Sequence, residues 1–179
     1  MKNLKEMARH LFGPFLKSPY IYRGSIDKRK TTDPELCSIC KGRCCKNCGC
    51  FLSPQDFSKI SYKVLNQEIQ KGYISIDYVW KKNYEKKGTL VLRIRNVGSP
   101  IVDIKRSSKP HQCMMLTPNG CSFSYEERPL GGKLLIPLVN DKGYAVCYPR
   151  YSYIECAREW EPYKRILRKL YFKYRNIDY

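Results

Sequence analysis

The sequence predicts a small single α+β domain, with a short antiparallel sheet, flanking helices and cysteine loops tied by metal. Three observations carry this expectation. Ile74, Ile76, Tyr78 and Trp80, and then Leu90, Leu92 and Ile94, recur with the two-residue period of strands. Other stretches place apolar residues at helical spacing, some of them behind capping residues. Ten cysteines occur in 179 residues, six of them between positions 37 and 50. Apolar types make up 42% and aromatics 13%, which supports a core and excludes a disordered tail.

Taken in order, Leu4, Met7, Ala8, Leu11 and Phe12 form a helical stripe that Gly13-Pro14 stops. Pro14, Pro19 and Gly24 imply an extended connection, followed by the basic run Lys28-Arg29-Lys30. Residues 1–36 therefore read as an amino-terminal helix and basic arm, and residues 37–179 as a cysteine-cluster metal-binding domain. Ser53-Pro54-Gln55-Asp56 reads as a helix start, with Phe57, Ile60, Val64, Leu65 and Ile69 as its stripe and Gly72 as its end. The two alternating segments predict an antiparallel hairpin, and a turn at 96–100 leads to a further strand at 101–105. Pro118-Asn119-Gly120 is a turn signal between Cys113 and Cys121. A strand over 133–139, a turn at 140–143 and a return over 144–148 follow. Ser152 and Glu155 form a second capping box. Trp160, Tyr163, Leu167, Leu170 and Tyr174 then give a last helix, kinked at Pro162. Trp80 and Trp160 read as core anchors.

The longest strongly apolar run, 134–139, is far short of the ~20 residues of a membrane span. No apolar signal core follows the charged amino terminus, so the expected compartment is the cytoplasm. Reduced thiols prevail there, and clustered cysteines bind metal more readily than they form a disulfide framework. Several lie too close in sequence to pair with one another.

The spacing Cys37-x2-Cys40-x3-Cys44-Cys45 carries chemical information. A C-x2-C turn aims two sulfurs at one tetrahedral ion. Adjacent cysteines diverge, by about 100° in a helix, so Cys44 and Cys45 reach two metals or one of them stands aside. Thiolate ligands select zinc, iron–sulfur clusters or cuprous copper over magnesium or calcium. The bacterial ferredoxin cysteine run is absent, as are a P-loop, H-E-x-x-H, a nucleophile elbow and a Rossmann fingerprint.

Cys37, Cys40 and Cys44-Cys45, then Cys113, Gly120-Cys121, Tyr125, Arg128-Pro129 and Cys147-Tyr148-Pro149, are the residues in question. Over roughly residues 35–160 they resemble the YkgJ-like CxxCxxCC cysteine-cluster family, described as zinc- or iron-chelating. Two departures mark this chain. Three residues separate Cys40 from the pair, and seventeen lie between Pro129 and Cys147. Spacing and resemblance together make Cys37, Cys40, Cys44, Cys45, Cys50, Cys113, Cys121 and Cys147 the expected ligands of zinc or iron, as single ions or an iron–sulfur centre. Cys48 and Cys156 have no assigned role. The resemblance also raises an iron-dependent modifying enzyme related to flagellin lysine methylase as an alternative.

Arg128 has two readings: a guanidinium beside the thiolates, or an ion pair with Glu126 or Glu127. His111, two residues before Cys113, reads as a surface histidine or an imidazole ligand, and His10 on the amino-terminal helix has no ligand partner in sequence. Charge is the second feature. Lys and Arg number 34 against 16 Asp and Glu, a formal net charge of +18. Two four-thiolate zinc sites would lower this to about +14. Residues 164–175 carry six bases and no acid, namely Lys164, Arg165, Arg168, Lys169, Lys173 and Arg175. On a helix they would form a cationic face for nucleic acid or an acidic protein. A solvated lysine-rich surface is the plain alternative.

Overall fold

The alternating segments are neighbours in a four-stranded sheet. The computed structural model describes residues 42–46, 49–79, 88–104, 112–139 and 145–176. Strand β1 (Phe51–Leu52) opens the sheet, and β2 (Ile74–Val79) and β3 (Thr89–Ile94) are its long members. β2 and β3 are antiparallel, in register from Ile74↔Ile94 to Val79↔Thr89. Strand β4 (Val102–Asp103) completes the order β1-β3-β2-β4.

The expected all-antiparallel sheet is corrected here, because β4 runs parallel to β2, with Ile76 opposite Val102. Strand order explains the direction. β2 separates β3 from β4, so a chain that reverses after β3 and crosses the start of β2 must return parallel to it. The crossing is held where Arg95 N–H donates to the Tyr73 carbonyl and Ile76 N–H to the Ile101 carbonyl.

Alternation also predicts a solvated polar face for β2 and β3. Instead, every residue of β3 is buried, as are Ser75 and Asp77 in β2. The polar positions form an internal ion cluster. Arg93 Nε donates to Asp77 Oδ2 at 2.7 Å, and its terminal nitrogen reaches Asp103 Oδ2 at 3.2 Å. The Ser75 hydroxyl donates to Asp77 Oδ1 at 3.0 Å. Pairing and hydrogen bonding are what make such burial tolerable.

The helix expected from Ser53 is shorter than its signals. Ser53 does form a capping box, but the 3₁₀ turn Pro54–Asp56 ends at once and Phe57 is extended. Phe57 turns into the core, edge-to-face with Trp160 at 5.8 Å. A new start follows, with Ser61 capping Val64 N–H, and α1 spans Tyr62–Gln70. Leu65 and Ile69 give α1 its buried side.

Strands β5 (Leu116–Thr117) and β6 (Gly120–Cys121) form the small hairpin around the expected Pro118-Asn119 turn. The strand expected from 133 begins later. Residues Leu130–Lys133 are a one-turn helix, α2, before β7 (Leu135–Val139) pairs antiparallel with β8 (Ala145–Pro149). Gly131 lets this helix lie against β1: a Cβ there would collide with the Phe51 carbonyl.

The last helices follow expectation. Ser152 and Glu155 cap α3 (Tyr153–Trp160) with both reciprocal bonds. A 3₁₀ turn at Glu161–Tyr163, carrying Pro162, interrupts the path before α4 (Lys164–Tyr174). Trp160 is fully buried and donates its indole N–H to the Leu52 carbonyl at 2.7 Å, locking α3 to β1. Leu167, Leu170 and Tyr174 continue the core. Among the described residues no helix is long and apolar enough to cross a membrane. The helix at 4–12, the basic arm, Trp80, His10 and His111 lie outside the described residues.

Candidate metal centre

Cysteines from separated parts of the chain meet where β1 enters the sheet. Cys45 lies in the 3₁₀ turn Arg43–Lys46, and Cys50 immediately precedes β1. Cys113 pairs as an isolated bridge with Asn96, just past β3, and Cys121 sits in β6 opposite Leu116.

Backbone contacts bring them together. Cys113 N–H donates to the Cys45 carbonyl at 2.7 Å, and Ile94 N–H to the Cys50 carbonyl at 2.9 Å. Gly49 N–H donates to the Asn96 side-chain oxygen at 2.9 Å. Asn96 thus ties the approach to Cys50 to the segment that carries Cys113. This close passage needs glycine at 49, because a Cβ there would overlap the Ile94 carbonyl.

The sulfurs sense one another. A hydrogen bond from the Cys45 side chain pulls the Cys113 thiol below its usual range; burial and Cys121 push it up, and Arg93 draws it down. Burial pushes Cys50 well up, and negative charge on Cys113, Cys121 and Asp56 adds to the shift. Mutually repelling thiolates in one pocket cannot all ionise, and a bound cation would reverse that logic. Cys45, Cys50, Cys113, Cys121 and Cys156 are thiols.

Two arginines border the group. Arg93 reaches it from β3 while held by Asp77 and Asp103. Arg128 shares its neighbourhood with Cys50: a Cβ on Gly132 would lie 3.3 Å from Arg128 Cβ and 3.4 Å from Cys50 Sγ. Arg128 Nε is buried and has no hydrogen-bond partner among the described residues. The ion pair with Glu126 or Glu127 is not formed there; Glu127 instead accepts from Ser124 N–H. Asp56 joins the floor, accepting from Ser53 N–H and Leu130 N–H at 2.8 and 2.9 Å. Burial drives its carboxyl up to about 6 despite both donors.

Of the eight expected ligands, Cys45, Cys50, Cys113 and Cys121 are therefore neighbours. Cys44 shares the turn of Cys45, and Cys147 stands opposite Pro137 in β8, a strand that passes beside that turn. Cys37, Cys40 and Cys48 lie outside the described residues. Cys156 is separate from the group: it is fully buried in α3, its thiol aimed at the Leu52 carbonyl and raised by burial to about 12. Among the described residues, no group of three or more His, Cys, Asp or Glu side chains is placed to hold a metal ion.

Arg93, Asn96, Asp56 and Gly132 were not legible as site residues. Arg93 reads as one of the outward positions of an alternating strand. The signal that singles it out is an arginine between two apolar residues, with Asp77 on the adjacent strand β2 and Asp103 on β4 beyond it, and it needs the register to be seen.

No family model, curated protein or solved structure matches this chain.

Proposed function

We propose that the protein binds a soft metal, zinc or iron, through a cysteine cluster that includes Cys45, Cys50, Cys113 and Cys121. The observation that supports this reading is that cysteines from turn, strand edge, bridge and hairpin lie near enough to shift one another's ionisation, Cys50 with Cys113 and Cys121, and Cys113 with Cys45. A purely structural thiol has no reason to seek others. Cys156 illustrates the ordinary case, packed alone in the core.

The donor set suits such an ion. Thiolates are soft ligands, and a tetrahedral site takes four at about 2.3 Å. Cys45, Cys50, Cys113 and Cys121 are candidate donors for such an ion, and Cys37 and Cys40 offer a C-x2-C turn for the same or a second site. When bound, zinc would supply cross-linking and charge neutralisation, and an iron–sulfur centre would supply electron transfer. The protein's own share is clearer. Asn96 fixes the separation of Cys50 and Cys113, Cys45 donates to Cys113, and Arg93 and Arg128 offset excess thiolate charge. The unpartnered Arg128 Nε fits a position beside an anionic metal–thiolate centre.

Elemental analysis and visible spectra of protein purified without oxygen test the reading. Near-stoichiometric zinc or iron is expected, and Cys113→Ser or Cys121→Ser should lose most of it. Cys156→Ser should retain it. Metal-free protein with intact thiols, or metal retained equally in all three variants, would overturn the proposal.

A further inference from the structure

Helix α4 presents a surface that metal binding leaves unexplained. Its inner side is Leu167, Leu170 and Tyr174, and its outer side exposes Lys164, Arg165, Arg168, Lys169, Phe172 and Lys173. Such a density of positive charge on one face is costly unless solvent ions or an anionic partner answer it. Little within the fold does. Lys164 pairs with Glu161 at 2.6 Å, but both side chains are about half exposed, and a pair of this kind is weak. Lys173 Nζ donates to Asn66 on α1. Arg165, Arg168 and Lys169 have no acidic partner among the described residues.

The second observation is aromatic. Phe172 is 58% exposed, far more than a core ring would be. It stands edge-to-face to Tyr171 at 5.3 Å, and the Arg175 guanidinium lies over its ring at 4.8 Å. Beside it opens a cleft of about 630 Å³ between α4 and the ends of β2 and β3. Tyr78, Lys164, Arg168, Tyr171 and Phe172 are among its walls, as is Glu161, the acidic partner of Lys164. Flat apolar faces and cations thus share one recess.

We propose that this cleft binds single-stranded nucleic acid, with Phe172 stacking on a base and Lys164 and Arg168 holding backbone phosphates. The combination decides the class of ligand. A cationic helix alone would suit any polyanion. An exposed ring at the mouth of a cationic cleft suits an unpaired base, whose face is open, whereas a duplex hides its base faces. An acidic peptide would use the charges and leave Phe172 idle. The proposal goes beyond metal binding and does not depend on it.

The test is fluorescence anisotropy on the full chain, using labelled oligo-dT and oligo-U of about 15 nucleotides. A duplex of the same length and polyglutamate serve as competitors, at about 50 and 200 mM salt. Both single strands should bind at low salt, and neither competitor should displace them efficiently. Phe172→Ala should weaken binding roughly five-fold or more. Arg168→Glu should weaken it further and lower the salt slope by about 0.7 per lost phosphate contact. Phe172→Trp should restore affinity, Phe172→Leu should not, and Lys59→Glu, an exposed base outside the cleft, should leave it near wild type. Absence of binding at low salt would overturn the proposal. So would full affinity in both Phe172→Ala and Phe172→Leu, or displacement by polyglutamate or duplex as readily as by the strand itself. Metal content measured in parallel separates this outcome from the fate of the cysteine cluster.

Discussion

Asp56 shows how much one side chain can connect. It closes the capping box of Ser53, accepts from Leu130 at the start of α2, and adds negative charge beside Cys50. Its carboxyl titrates near 6 instead of 3.8 because burial disfavours the charge. A folded-state pKa above the unfolded one means that the folded protein binds the extra proton between those values. The stability this group contributes is therefore full below about pH 4 and lost as pH rises through about 6. Asp56→Asn removes the titration but keeps the size. Between pH 7 and pH 5, wild type should gain on the order of 1 kcal/mol relative to the variant, in urea unfolding at each pH. Parallel curves for the two proteins would contradict this account. The position of Asp56 was readable from Ser53-Pro54-Gln55-Asp56, but its second partner, Leu130, lies 74 residues away and was not.

Among the elements, α2 is the one that local propensity argues against. Two of its four residues are glycines, which disfavour a helix by roughly 1 kcal/mol each. Contact with β1 compensates, since no other residue lets the backbones approach so closely. Gly131→Ala would drive a Cβ into the Phe51 carbonyl, a backbone atom that cannot yield without shifting β1. Gly132→Ala would meet only Arg128 Cβ and Cys50 Sγ, at 3.3 and 3.4 Å, and side chains can move by tenths of an ångström. Gly131→Ala should therefore cost about 1–3 kcal/mol or more, and Gly132→Ala distinctly less. Equal unfolding midpoints for the two variants would show that the packing is looser than the contacts imply. Gly132 of α2 and Arg128 just before it border Cys50, so on the proposed metal reading a disturbed α2 should also lower metal retention.

At the scale of the whole molecule, the apolar core and the proposed metal-bearing region can be separated. Helices α3 and α4 rest on an apolar core of Trp160, Leu167 and Leu170, whereas the cysteine-bearing turn and hairpin contribute little apolar burial of their own. Ligation energies of structural zinc reach about 10–16 kcal/mol and become folding energy. On the proposed reading, removing a bound metal should thus open the cysteine region first. In hydrogen exchange, the amides of Cys45, Ile94 and Cys113 should lose protection on chelation while those of Leu167 and Leu170 keep it. Unchanged exchange, proteolysis and circular dichroism after verified metal removal would refute this.

What the sequence by itself determined is what depends on neighbours a few residues away. The β2–β3 hairpin, the caps at Ser53 and Ser152, the Pro118-Asn119 turn, the break at Pro162 and the inward stripe of α4 all follow from period and capping chemistry. The presence of abundant soft ligands belongs here as well. The tertiary structure decided everything that rests on register between distant segments. It set β4 parallel to β2, because β2 came to lie between β3 and β4. It drew Phe57 toward Trp160 and so stopped a well-capped helix after one turn. It turned the polar side of β3 into a buried Arg93–Asp77 pair, joined by the half-buried Asp103, instead of a wetted face. It also sorted like cysteines into unlike surroundings, bringing Cys45, Cys50, Cys113 and Cys121 near one another and leaving Cys156 in the core. The reason is common to all of these. Spacing along a chain fixes which way a side chain points, but only long-range burial and pairing fix what it points at.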